Sequence, residues 1–259
     1  MRSPPYDGNV RSTQPLTDSG KAPEPEPPAN LQSDDPGACL EPTGFIDADH
    51  PAVVQFAREV TTGASGDEER AALLFRAVRD RVRYDPYSVT TDPEDYRAST
   101  ITGRSAAYCV PKAVLLAGAA RAVGIPSRVG FADVRNHLQS ERLREEMGTD
   151  LFICHGFTEL YLGERWLKAT PTFNVELCDR FGVEPLDFDG TADALFHEFD
   201  ATGRRHMDYV SYRGAFTDLP LAWLVAMLLH HYGTRLFSDG TGLGSRPDTM
   251  FDPEPPSTR

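Results

Sequence analysis

Apolar positions recur at helical spacing early in the chain. Ala71, Leu74, Phe75, Val78 and Val82 fall on one face of a predicted helix, with Arg76, Arg79, Asp80 and Arg83 on the other. Ser65-Gly66-Asp67-Glu68 just ahead has the spacing of a capping box. A shorter helix, from about Pro51 to Thr61, is carried by Val53, Val54, Phe56, Ala57 and Val60. A polar loop rich in Thr, Asp and Pro then runs to about Ser99. The next helix opens at Cys109: Pro111 suits a first turn, where its missing N–H would be unsatisfied anyway. From Ala113 to Val123 a single glycine interrupts the run, and Gly124 with Pro126 ends it.

Beyond this helix the period changes. Ser127 to Val134 alternates enough to read as a strand, with Val129, Phe131 and Val134 as apolar positions. Arg135 to Gly148 is charged and reads as an insertion or a surface helix. Leu151 to Leu162 is strand-like, Gly163-Glu164 makes a tight turn, and Arg165 to Thr170 runs back, so a hairpin is predicted. Residues 171–237 contain several turns and then a helix from about Leu221 to Phe237. Residues 1–38 and 238–259 are rich in Pro, Ser, Asp and Gly. They hold too few apolar side chains to offset ordering entropy, so both are expected to be disordered tails. One domain is left, 39–237, with its core at 67–174.

Composition narrows the class. A net charge of −13 argues against a nucleic-acid or anionic-membrane partner. Leu219 to Leu229 is too short an apolar run to span a bilayer, and the amino terminus has no apolar secretion segment. Four scattered cysteines (Cys39, Cys109, Cys154, Cys178) form no CxxC pair and read as thiols in a reducing compartment. A soluble cytoplasmic protein with no cofactor is expected; the oligomeric state is left open.

Cys109 is the candidate nucleophile. A thiol at a helix N-terminus meets the positive end of the macrodipole and free backbone N–H groups, and both favour thiolate. His155, 46 positions later on the first strand of the hairpin, is the candidate base. A helix-borne cysteine followed by antiparallel strands carrying a histidine is the layout of papain-like thiol chemistry. The imidazole takes the thiol proton and later delivers it to the leaving group. A third polar group on the neighbouring strand would orient the ring. Tyr84, Ser105 and Tyr108 are candidates for lining the oxyanion site beside the Cys109 N–H.

At Cys109-Val110-Pro111-Lys112-Ala113, at Arg121-Ala122-Val123-Gly124-Ile125-Pro126-Ser127-Arg128, at His155, and at Trp166 with Pro171-Thr172, the chain resembles the transglutaminase-like superfamily. The resemblance covers roughly Asp67 to Asn174. It implies an α+β fold in which N-terminal helices and a cysteine-headed core helix pack on an antiparallel sheet. It also implies a Cys-His-Asp site that hydrolyses amides or moves acyl groups, with Cys109 as nucleophile and His155 as base. Thr170 stands where the family has aspartate. Its hydroxyl can accept the imidazole N–H but cannot match a full negative charge, and Asn174 is the alternative third member.

Other residues have plainer readings. Cys154, next to His155, should point to the opposite face of the strand and belong to the core. Cys109, His137, Cys154, His155 and Cys178 lack the short spacing of a zinc site, so no metal is expected. His230-His231 suits a helix C-terminus. Asp187, Asp189 and Asp193, ahead of His197, read as turn and capping acids. His206 to Tyr209 with Arg213 could line a substrate groove. Three functions are carried forward. The first is a cysteine enzyme cleaving a peptide or peptide-like amide through an acyl-thioenzyme, with water as the default acceptor. The others are a binding module with a degenerate triad and an acyltransferase using an acyl thioester.

Overall fold

The computed structural model describes residues 22–137, 144, 147–196 and 207–237. Helices α1 (Pro51–Val60) and α2 (Asp67–Arg81) precede a short pair of parallel strands, β1 (Arg83–Tyr84) and β2 (Ala106–Ala107), with the one-turn helix α3 (Ala98–Ile101) between them. Helix α4 (Cys109–Ala122) follows directly. An antiparallel sheet is built from β3 (Ser127–Asn136), β4 (Leu151–Leu162), β5 (Arg165–Ala169) and β6 (Met207–Phe216), in the order β5-β4-β3-β6. Helices α5 (Val175–Phe181) and α6 (Leu221–Tyr232) complete the chain. The architecture is α+β, with the cysteine-headed helix packed on the sheet. Among the described residues, no helix is long and apolar enough to cross a membrane.

Helix α4 is buried on every side, from Cys109 through Arg121. A helix that is apolar all round has to sit inside a fold, and here α1, α2, α3 and the sheet enclose it. A Cβ at Gly118 would stand 2.8 Å from the Ala98 Cβ, so glycine permits the close approach of α3. Two long basic side chains nevertheless lie on this helix. Lys112 is fully buried, and its Nζ donates to the carbonyls of Arg79 and Val82 where α2 ends. Arg121 donates to the carbonyls of Ser127, Glu41 and Thr217.

These bonds explain the 121–128 motif. Gly124 takes φ +85°, a left-handed turn that ends the helix, and Ser127 Oγ donates back to the Ala117 carbonyl at 2.7 Å. Arg128 pairs with the buried Glu159 at 2.7 Å and lies 4.2 Å over the Trp166 ring. The motif therefore joins helix to sheet, and Trp166 belongs to that junction.

Three expectations change. Residues 22–38, assigned by composition to a tail, lie against the fold. Glu24 bonds Arg213 at 2.6 Å and His231 at 2.9 Å, the Trp223 indole donates to the Pro25 carbonyl, and the Thr217 N–H donates to the Leu31 carbonyl. The segment is held by polar contacts and backbone bonds, which a count of apolar side chains does not register. Residues 1–21 and 238–259, the remainder of the two tails, lie outside the described residues, as does most of the charged stretch within 135–148. Strand β6 was unforeseen, because its burial does not alternate cleanly and Gly214 (φ +112°) interrupts it. The start of α2 also differs in register: Gly66 is the N-cap, and Ser65 bonds Glu69, not Glu68.

The discounted residues have assigned partners. Asp187 pairs with Arg76, Asp189 accepts from Thr191, and Asp193 accepts the Lys168 N–H. His137 pairs with Asp208 at 2.8 Å, and His231 takes Glu24 in addition to its place in the last turn of α6. His197 and His206 lie outside the described residues.

Candidate active site

Cys109 is the first residue of α4, and Tyr108 in extended conformation precedes it. Its Sγ accepts the Gly156 N–H at 3.5 Å, which brings β4 against the start of the helix. A Cβ at Gly156 would meet the Val110 Cα at 2.9 Å, so only glycine lets the strand approach this closely. Sequence reasoning passed over Gly156. Its signal was a glycine inside a strand next to a candidate histidine, which marks a close backbone approach.

His155 precedes Gly156 and pairs across the sheet with Ala132. Between Ala132 and Val134 the register slips, so Ile153 and Cys154 together oppose Asp133. Cys154 sits at this bulge with φ +56°, a left-handed conformation unusual for a residue with a side chain. Its N–H donates to Asp133 Oδ1 at 3.1 Å. Asp133 is buried and gripped by Arg213 through Nε at 2.8 Å and Nη2 at 2.6 Å. The slip breaks strict alternation there; Cys154 belongs to the buried core, as expected, and Cys109, Cys154 and His155 are all among the residues that line one cavity. Arg213, once considered for a substrate groove, instead holds the carboxylate beneath the bulge.

The cavity holds about 70 Å³. Tyr84 and Tyr108 line it, whereas Ser105 is exposed and does not. The Tyr108 phenol donates to Tyr96 Oη at 2.8 Å, away from the role considered for it. Neither expected third member bonds the imidazole. Asn174 Oδ1 accepts the Tyr84 N–H at 3.2 Å. The Thr170 hydroxyl lies by the Tyr209 phenol, which burial pushes up to about 12 against the pull of Thr170 and the Phe196 N–H. His155 Nε2 has no hydrogen-bond partner among the described residues. The ring packs on Phe196 at 4.9 Å between centroids, and Phe196 in turn packs on Phe173 and Tyr209. Aromatic packing holds the ring where Thr170 or Asn174 was expected to bond it.

Burial decides the protonation states. It pushes the Cys109 thiol up to about 11, although the N–H groups of Gly156, Val110 and Cys109 pull the other way. It pushes His155 down to about 3, with no charged neighbour among the described residues opposing it. The helix terminus alone favoured thiolate, but desolvation outweighs it. The resting pair is a neutral thiol beside a neutral imidazole.

A stability consequence follows. In the unfolded chain His155 takes up its proton near the ordinary 6.5, whereas the folded chain resists until about 3. Between these values the unfolded state binds more protons, so stability is fully present above about pH 6.5 and is lost as pH falls towards 3. Urea midpoints of the native protein should decline through this window, and those of His155→Phe should decline less. Equal slopes for the two proteins would contradict a buried neutral imidazole.

Comparison with known proteins agrees with this architecture. Residues 54–171 match the family model described as Transglutaminase-like superfamily. No curated protein matches the chain. A solved structure described as "a Putative Cysteine Protease from Cytophaga hutchinsonii" is similar at 20% identity and a TM-score of 0.41, over 57% of this chain and 45% of that one. The chain thus spans less than half of the length of that protein. Strand β6, helix α6 and the segment 22–38 all lie outside the matched residues. The stretch from α1 to the end of the β4–β5 hairpin, residues 54–171, is a transglutaminase-like superfamily domain.

Proposed function

We propose that this protein is a cysteine enzyme that cleaves or transfers an amide or peptide-type acyl group, with Cys109 as nucleophile and His155 as general base. The observation that carries the reading is that Cys109, heading α4, and His155, on β4, line one partly open cavity. As sulfur adds to the substrate carbonyl carbon, His155 takes the thiol proton, and the oxyanion forms beside the Cys109 N–H. The C–N bond then breaks, and the imidazolium gives its proton to the departing amine. Water adds to the thioester with His155 again as base, releasing the acid and the free thiol. Thr170 enters as a positioning residue, acting on His155 through Tyr209 and Phe196.

The test is to trap the acyl-thioenzyme. Acid quenching during turnover of a peptide p-nitroanilide, followed by intact mass and peptide mapping, should place one acyl group on Cys109 and none on the Cys109→Ala variant. One observation favours a second reading, a binding module on the same fold: among the described residues no carboxylate stands by to stabilise a His155 cation. If no adduct forms and Cys109→Ala binds the peptide as tightly as the native protein, the binding module replaces the enzyme.

A further inference from the structure

One wall of the cavity comes from α6. Leu224, Leu228 and Tyr232 lie one turn apart on a single face of that helix and are all buried. Val89, Met147 and Ile153 add further apolar lining. Among the described residues no charged side chain lines the space. The Tyr232 hydroxyl is spent on the Leu151 carbonyl at 2.8 Å and the Ile153 N–H at 2.6 Å, so that residue turns ring, not hydroxyl, to the cavity. The volume, about 70 Å³, is under half of the roughly 150 Å³ that accommodates benzene in an engineered apolar cavity. It suits two or three methylene-sized groups.

We infer that the group accepted next to the scissile carbonyl is short, uncharged and aliphatic, and that α6 sets this limit from outside the family-matched segment. The inference rests on the acyl-thioenzyme reading and narrows its substrate. A carboxylate or ammonium in this position would lose its water with no opposite charge to replace it. Each methylene moved from water into the cavity favours acylation by several-fold, so two give roughly tenfold. The same chemistry is presented by an aliphatic residue of a peptide and by a short-chain acyl thioester.

The experiment uses p-nitrophenyl esters of acetate, butanoate, octanoate and hemisuccinate with the full chain. The Cys109 sulfur adds to the ester carbonyl, the C–O bond breaks, and nitrophenolate leaves with the bonding pair while His155 keeps the thiol proton. Burst kinetics give the acylation rate, and intact mass confirms the adduct on Cys109. Butanoate should acylate roughly tenfold faster than acetate, octanoate should bring no further gain, and hemisuccinate should fall at least to the acetate rate. Leu228→Ala should move the optimum to a longer chain. Turnover of an N-acetyl-valine p-nitroanilide but not of a butanoyl thioester would identify a peptide as the source, and the reverse an acyl thioester. Equal acylation by butanoate and hemisuccinate, or rates flat with chain length, would overturn the aliphatic pocket while leaving the nucleophile intact. Absence of any adduct on Cys109 would overturn both.

Discussion

His155→Ala should slow acylation of Cys109 by about two to four orders of magnitude, the span that a positioned general base supplies. The pH profile separates a lost base from a damaged site. With the thiol near 11 and the imidazole near 3, the native pair is correctly protonated across the whole interval between them. The native rate should therefore be level over that interval, because a neutral imidazole is available to take the proton on attack. Without His155 the reaction depends on the small thiolate fraction, which grows tenfold per pH unit until the thiol titrates. The variant's rate should climb steadily from neutral pH towards 11, where the thiol ionises. A variant as fast as the native protein with the same level profile would remove His155 from the mechanism. A native profile that itself climbs would show that the imidazole never takes the proton.

Arg121→Leu should destabilise the fold by about 3–5 kcal/mol, the range that follows when several buried acceptors lose their donor together. Arg121 is 5% exposed, and its guanidinium reaches three carbonyls on three separate segments: Ser127 at 2.6 Å, Glu41 at 2.6 Å and Thr217 at 2.7 Å. Leucine fills part of the space but leaves the three oxygens without partners. Removing the desolvated cation, which burial lowers to about 10, offsets some of this. Arg121→Lys should recover only part of the loss, because an ammonium does not spread its donors in a planar fork. Urea unfolding of the three proteins is the measurement, and a loss below about 1 kcal/mol for Arg121→Leu would show that water replaces the guanidinium.

The elements nearest the chemistry were readable from local pattern. Helix α4 announced itself by Pro111, an unbroken apolar run and Gly124, and its observed span, Cys109–Ala122, differs from the expected one by a residue. The β4–β5 hairpin was marked by the Gly163-Glu164 turn, with both residues at positive φ. Strand β6 was missed for a physical reason. Arg213, an extra residue opposite the slip between Phe131 and Ala132, breaks the two-residue period that identifies strands. The segment 22–38 was missed because Glu24 and Pro25 find their partners nearly two hundred residues away.

The site divides in the same way. Sequence by itself determined which residue heads the core helix, which histidine stands on the facing strand, and that no aspartate occupies position 170. Each is a matter of residue identity and short-range period. Only the tertiary structure decided the rest. The bulge at Cys154 breaks the alternation of β4, and Cys109, Cys154 and His155 all line one cavity. Asn174 is drawn to the Tyr84 backbone, and the buried Thr170 hydroxyl has no hydrogen-bond partner among the described residues. Helix α6 closes an apolar wall that leaves both thiol and imidazole neutral. Protonation depends on how much water the surrounding elements exclude, and that quantity belongs to the packed chain rather than to any stretch of it.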